Sequence, residues 1–96
     1  MRVLITYRLR PESVQAELDG LRTVYEELAS IEPDWLSYAT YQLADEVSFM
    51  SIVDVDDPPK LGGLPEFQRY RASLDARCDQ APVVTGLTEI GAYEPT

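Results

Sequence analysis

The chain has no histidine and no asparagine, and only one cysteine, one lysine and one tryptophan. Without histidine there is no imidazole base, no Ser-His or Cys-His nucleophile pair, and no histidine-ligated zinc or haem. A single cysteine, Cys78, cannot form an internal disulfide, which suits a reducing compartment. Its place among apolar residues at helical spacing reads as a small buried hydrophobe. Basic residues are also scarce. One Lys and seven scattered Arg stand against 17 acids, for a net charge of −9, whereas a nucleic-acid surface needs clustered cations. Long apolar runs are missing, so no segment reads as a membrane span, and the start of the chain lacks the continuous apolar core of a signal peptide. The expected setting is the cytoplasm.

What is present fits one small domain, residues 1–96, with 45% apolar and 26% charged content. A chain of this length buries roughly 60–65% of its unfolded surface, so extra burial through a partner would help it. Residues 2–10, RVLITYRLR, alternate with period two and predict a strand: Val3, Ile5, Tyr7 and Leu9 on one side, Leu4, Thr6 and Arg8 on the other. From Ser13 to Ile31, apolar residues at Val14, Leu18, Leu21, Val24/Tyr25, Leu28 and Ile31 predict an amphipathic helix. Gly20 falls within it, where glycine costs about 1 kcal/mol.

WLSYATYQLA (35–44) and EVSFMSIVDV (46–55) predict a hairpin closed at Asp45-Glu46. Phe67, Tyr70, Leu74 and Cys78 share the stripe of a second helix over 65–79, and residues 81–94 predict a last strand interrupted by Gly86 and Gly91. The resulting order, βαββαβ, is the ferredoxin-like α+β arrangement: a four-stranded antiparallel sheet with two helices on one face. Both faces of that sheet carry apolar residues. The face without helices therefore predicts a second copy packed against it, a homodimer.

Between these elements DVDDPPKLGGLPEFQRY (54–70) resembles a calcium loop only superficially. The position that needs glycine is Pro59, and the position that needs the last glutamate is Pro65. It also lacks the phosphate-loop pattern. It reads as a β-to-α connection acting as a flap, with Gly62 and Gly63 as its flexible points, and no metal is expected there.

VLITYRLRPES, DWLSYATYQLADEVSFMSIVDV, LPEFQRYRASLDARC and the closing IGAYE together resemble the dimeric α/β-barrel superfamily, in particular the antibiotic-biosynthesis-monooxygenase-like (ABM) domains. The resemblance covers essentially the whole chain. It implies a sheet–helix cavity and, in part of the superfamily, cofactor-independent oxygenation of small aromatic or polyketide-like compounds. The Asn and the Trp just past the third strand that those oxygenases use are missing, and Trp35 opens the second strand instead. The haem-degrading branch needs an axial histidine that this chain does not have.

The candidate ligand-pocket residues are Tyr7, Tyr41, Phe67, Tyr70 and Arg8, with Tyr7 and Tyr70 as candidate catalytic groups that position or deprotonate a phenolic substrate. Arg8 is expected to pair with Glu46 or Glu89 at the dimer interface. Glu12, Glu17, Asp19, Glu26 and Glu27 read as a solvated helix face. Two functions follow: a cofactor-free monooxygenase- or isomerase-like enzyme, or a non-catalytic small-molecule-binding or stress-associated dimer with the same cavity.

Overall fold

In the computed structural model, which describes residues 1–95, the alternating segments pair into one antiparallel sheet. Its strands are β1 (Arg2–Leu9), β2 (Leu36–Gln42), β3 (Ser48–Val55) and β4 (Cys78–Gly86), in the order β2-β3-β1-β4. The helices are α1 (Val14–Ile31), a short α2 (Pro58–Gly62) and α3 (Pro65–Arg77). This is the ferredoxin-like α+β fold expected from the sequence.

Register follows from the alternation. Tyr7 pairs with Phe49, and Val3 with Val53; Tyr7 and Phe49 form one core cluster with Leu9, Leu21, Val24, Tyr70 and Leu74, and Val53 a second with Val55 and Leu61, against which Val3 packs. Tyr7 and Phe49 stack with ring centroids 5.6 Å apart. On the opposite face Leu4 pairs with Ile52 and Thr6 with Met50, while β2 adds Ala39 beside Ile52 and Tyr41 beside Met50. Among the described residues, no helix lies on that side. Among the described residues no helix is long and apolar enough to cross a membrane.

The hairpin turn between β2 and β3 is fixed by Asp45. Its carboxylate accepts from the Val47 and Ser48 N–H groups and from the Ser48 hydroxyl, at 2.6–3.0 Å, and these bonds hold its pKa below the usual range. Glu46 takes the left-handed conformation that a tight turn needs. α1 stops at Glu32, which is also left-handed and bonds back to Leu28 ahead of Pro33.

Several expectations change. α3 ends at Arg77 rather than 79, because Cys78 is already extended and opens β4 with no linker; it is only half-buried. β4 ends at Gly86, and residues 87–95 form no strand: among the described residues their one backbone bond is the Leu87 N–H donated to the Arg2 carbonyl. The 54–70 connection is not an open flap: Pro58–Gly62 winds into α2, Leu61 packs on Val53 and Val55, and neither Gly62 nor Gly63 has positive φ. Lys60 lies over the Trp35 ring at 5.7 Å and tethers this connection to the turn that precedes β2. Arg8 pairs within the chain, with Asp79 at 2.8 Å, and Glu89 with Arg2 at 3.4 Å.

Candidate functional site

The helix pair and the sheet enclose a carboxylate. Glu17, on α1, is fully buried, contrary to its reading as part of a solvated face. Burying a carboxylate is costly unless charge and hydrogen bonds compensate, and here four contacts do so. The Tyr7 hydroxyl from β1 donates to Oε2 at 2.5 Å, and the Tyr70 hydroxyl from α3 donates to the same atom at 2.6 Å. Arg77, at the end of α3, donates to Oε1 through Nε at 3.1 Å and through a terminal nitrogen at 2.9 Å. A second arm of the guanidinium holds Ser73 Oγ at 2.6 Å, and its plane lies over the Tyr70 ring at 5.6 Å.

Three elements must approach closely to bring these groups together. Gly20 permits it: a Cβ there would stand 3.2 Å from Tyr70 Cδ1. About two turns after Gly20, Glu27 Oε2 accepts the Glu66 N–H at 3.2 Å, so acids of α1 engage both ends of α3. Oε1 of Glu27 is buried without a partner.

The electrostatics fix the protonation of the phenols. Burial raises the Tyr7 pKa far above its ordinary value, and its hydrogen bond to Glu17 adds to the shift. Tyr70 moves the same way, through burial first and then the proximity of Tyr7 and Glu17. Tyr38, nearby, is raised mainly by burial. With their pKa values raised, the Tyr7 and Tyr70 phenols stay protonated and donate to Glu17. Glu17 Oε2 accepts both of their hydrogen bonds.

From this centre a line of rings runs toward β2. Tyr70 and Phe67 have centroids 6.2 Å apart, Phe67 and Tyr38 6.2 Å, and Tyr38 and Tyr25 5.6 Å. The Tyr25 hydroxyl lies 2.8 Å from Thr40 Oγ1, which continues to Ser51 Oγ at 2.9 Å. Where the line meets the surface, a recess of about 360 Å³ opens between the end of α1 and β2, walled by Tyr25, Leu28, Leu36 and Tyr38. A second recess, of about 250 Å³, reaches Tyr7 and Phe49 beside Arg8, Met50 and Val83.

Of the five candidate residues, the structure brings Tyr7, Tyr70 and Phe67 together on the helix side. Tyr41 and Arg8 lie on the other face of the sheet, apart from the Glu17 centre. Sequence reasoning missed Glu17, Arg77, Tyr25 and Tyr38 as site residues. A signal existed for the first two: Glu17 lies on the Val14–Leu21–Val24 stripe of α1, and Arg77 continues Phe67–Tyr70–Leu74 on α3.

Fold and interior together define a ferredoxin-like α+β protein with a buried carboxylate–phenol–guanidinium centre. No protein-family model and no curated protein matches the chain. Solved structures do. Rv0793 of Mycobacterium tuberculosis is 20% identical, with TM-score 0.74 and 97% of each chain covered. A Bacteroides thetaiotaomicron protein, provisionally described as an antibiotic biosynthesis monooxygenase, is 15% identical, with TM-score 0.79, covering 100% of this chain and 94% of that one. A dimeric ferredoxin-like protein of unknown function from Jannaschia sp. CCS1 is 16% identical, with TM-score 0.68, covering 92% of this chain and 97% of that one. The chain therefore has the fold of the ABM-like proteins.

Proposed function

We propose that the protein is a cytoplasmic homodimer that takes up a small phenolic or polyketide-like aromatic compound and oxygenates it without a cofactor. One observation carries this reading: a fully buried Glu17, flanked by two phenol donors and a guanidinium, stands at the inner end of a ring line that leads in from the surface. A flat ligand entering at Tyr25 and Tyr38 would slide along Phe67, and its hydroxyl would replace that of Tyr70 on Glu17 Oε2.

Glu17 would then accept the phenolic proton, and Tyr7 and Arg77 would stabilise the enolate that remains. For an anthrone-type substrate, the activated carbon adds dioxygen, one oxygen stays as a new C=O, and the other leaves as water. The substrate CH2 supplies all four electrons, so no outside reductant is needed. The similar Bacteroides thetaiotaomicron protein, provisionally described as an antibiotic biosynthesis monooxygenase, supports this reading.

A second reading is favoured by a different observation. The two oxygens of Glu17 already receive four donated hydrogen bonds from the chain's own side chains, which is also how a purely structural buried carboxylate is satisfied. The protein would then bind a small molecule in the Tyr25–Tyr38 recess without transforming it.

Oxygen consumption with anthrone-type hydroquinones decides between them. Turnover by the wild type that is lost in Glu17→Gln and reduced in Tyr7→Phe supports the oxygenase. Saturable binding of the same compounds with no oxygen uptake above background supports the binding protein.

A further inference from the structure

Four of the six tyrosines lie on one continuous path through the interior, and Phe67 completes it. Tyr7 and Tyr70 meet at the Glu17 carboxylate, with their hydroxyls 3.1 Å apart. From Tyr70 the rings follow one another to Phe67, Tyr38 and Tyr25, at centroid distances of 6.2, 6.2 and 5.6 Å. Tyr25 ends the path in the recess at the surface. Tyr41 and Tyr93, which are 53% and 89% exposed, stand outside it.

A buried phenol in place of phenylalanine carries a hydroxyl that must be paired, so an apolar core alone does not call for it. Each hydroxyl on this path has an oxygen close by that can share its proton. Tyr7 and Tyr70 face Glu17 Oε2 at 2.5 and 2.6 Å, and Tyr25 faces Thr40 Oγ1 at 2.8 Å. Thr40 continues to Ser51 at 2.9 Å, and the Tyr38 hydroxyl is turned toward the same pair. A phenol gives up an electron readily only when its proton leaves at the same time, because the phenol radical cation is a very strong acid. Movement of an oxidising equivalent through a protein therefore needs rings in near contact and a proton acceptor at each phenol. The path meets both needs, with Phe67 as the bridge between Tyr70 and Tyr38.

We propose that the path is an electron route, which draws an oxidising equivalent from the Glu17 centre out to Tyr25 and so protects the interior. The proposal rests on the oxygenase reading for its oxidant, a substrate peroxyl radical. Dioxygen is a ground-state triplet and accepts electrons singly, so an enolate that reacts with it passes through a radical. A substrate radical that loses its superoxide partner adds a second dioxygen and becomes the peroxyl. Tyr70 gives it one electron, leaving a peroxide anion, and passes the phenolic proton to Glu17 Oε2. Tyr38 reduces the Tyr70 radical across Phe67, and Glu17 returns the proton to Tyr70. The Tyr38 proton is shared with the Thr40–Ser51 hydroxyls until Tyr25 reduces Tyr38 in turn. The Tyr25 proton leaves to solvent at the recess, and a soluble thiol or ascorbate restores Tyr25 by giving it a hydrogen atom. Summed, the peroxyl radical gains one electron and one proton to become a hydroperoxide, and the soluble donor loses one hydrogen atom.

The test uses light in place of substrate, so that failure of the route and failure of the oxygenase are read separately. A ruthenium tris-bipyridyl group is tethered to Ala76→Cys in a Cys78→Ser background, at an exposed position of α3 next to Arg77. Flash photolysis with a cobalt(III) ammine as irreversible quencher turns the group into a one-electron oxidant. A nitroso spin trap in solution marks tyrosyl radicals, and peptide mass spectrometry places the adducts. The expected result is an adduct on Tyr25 in preference to the more exposed Tyr41 and Tyr93. Tyr38→Phe keeps the ring but has no phenol to oxidise. It should abolish the Tyr25 adduct and leave the radical at Tyr7 and Tyr70 in the electron paramagnetic resonance spectrum. Phe67→Leu removes the bridge and should do the same, with circular dichroism checking the fold of both variants. Adducts that follow exposure, with Tyr93 leading, overturn the route. So does a Tyr25 adduct indifferent to both substitutions. A Tyr25 adduct that needs Tyr38 and Phe67, in a protein without oxygen uptake, supports the route and counts against the oxygenase alone.

Discussion

The hydroxyl of Tyr70 lies 2.6 Å from Oε2 of Glu17, a contact that joins α3 to α1 across 53 residues of sequence. The same oxygen receives Tyr7 from β1, so one atom ties together two helices and the central strand. The arrangement makes the centre a structural keystone whether or not it is catalytic, and activity and stability must be measured side by side.

Replacing Glu17 by Ala should cost about 3–5 kcal/mol, because it strands a partly buried guanidinium and two buried phenols. Tyr7→Phe and Tyr70→Phe each remove one bond to a charged acceptor and should cost about 1.5–3 kcal/mol. Since both hydroxyls serve the same oxygen, the double variant should lose a different amount from the sum of the two. Urea denaturation of the four proteins checks this, and strict additivity would show that the hydroxyls act independently.

Gly20→Ala should destabilise the protein although alanine favours a helix by about 1 kcal/mol. The added Cβ would press on Tyr70 at 3.2 Å, and Tyr70 is held in place by Glu17 and by the guanidinium over its ring. Overpacking of this kind costs about 1–3 kcal/mol. In a Tyr70→Ala background the clash disappears, and the same substitution should become stabilising.

Alkaline pH should unfold the protein through its interior tyrosines. The folded pKa values of Tyr7, Tyr38 and Tyr70 are raised above the unfolded value of about 10, so the native state binds more protons than the unfolded state at high pH. The stability they contribute is fully present below pH of about 10 and is lost as pH climbs beyond it toward the folded values. Phenolate absorbance for these residues should therefore rise together with loss of circular dichroism. Their titration in a still-folded protein would contradict the burial argument.

Ile52→Asp should convert a dimer to a monomer. Ile52 lies at the middle of the uncovered sheet face, between Leu4 and Ala39, where a second copy would bury it. Light scattering should give half the wild-type mass while thermal unfolding still shows a cooperative transition.

The strands and both long helices were legible because each burial face repeats at its own period. Val3, Ile5, Tyr7 and Leu9 alternate, and Leu21, Val24 and Leu28 recur at helical spacing. The site was legible only in part. Tyr7, Phe67 and Tyr70 were found because aromatic residues on an apolar stripe announce themselves. Glu17 was hidden by its company: on a helix crowded with Glu12, Asp19, Glu26 and Glu27, one more acid looks like solvent-facing surface. Leu18, chosen for the stripe in its place, is 38% exposed. Burial of Glu17 depends on Arg77, 60 residues away, and a partner that distant leaves no local signature. The ends of β4 were misplaced for a related reason: a strand stops where its partner stops, and pairing is not a property of one segment.

The direct passage from Arg77 to Cys78, with no residue between helix and strand, makes this junction behave as a rigid splice. Adding or deleting a residue there would rotate Arg77 off the Glu17 carboxylate or slide β4 along β1, so the two sides cannot drift independently. Engineers seeking a place to insert a tag or a reporter should avoid it.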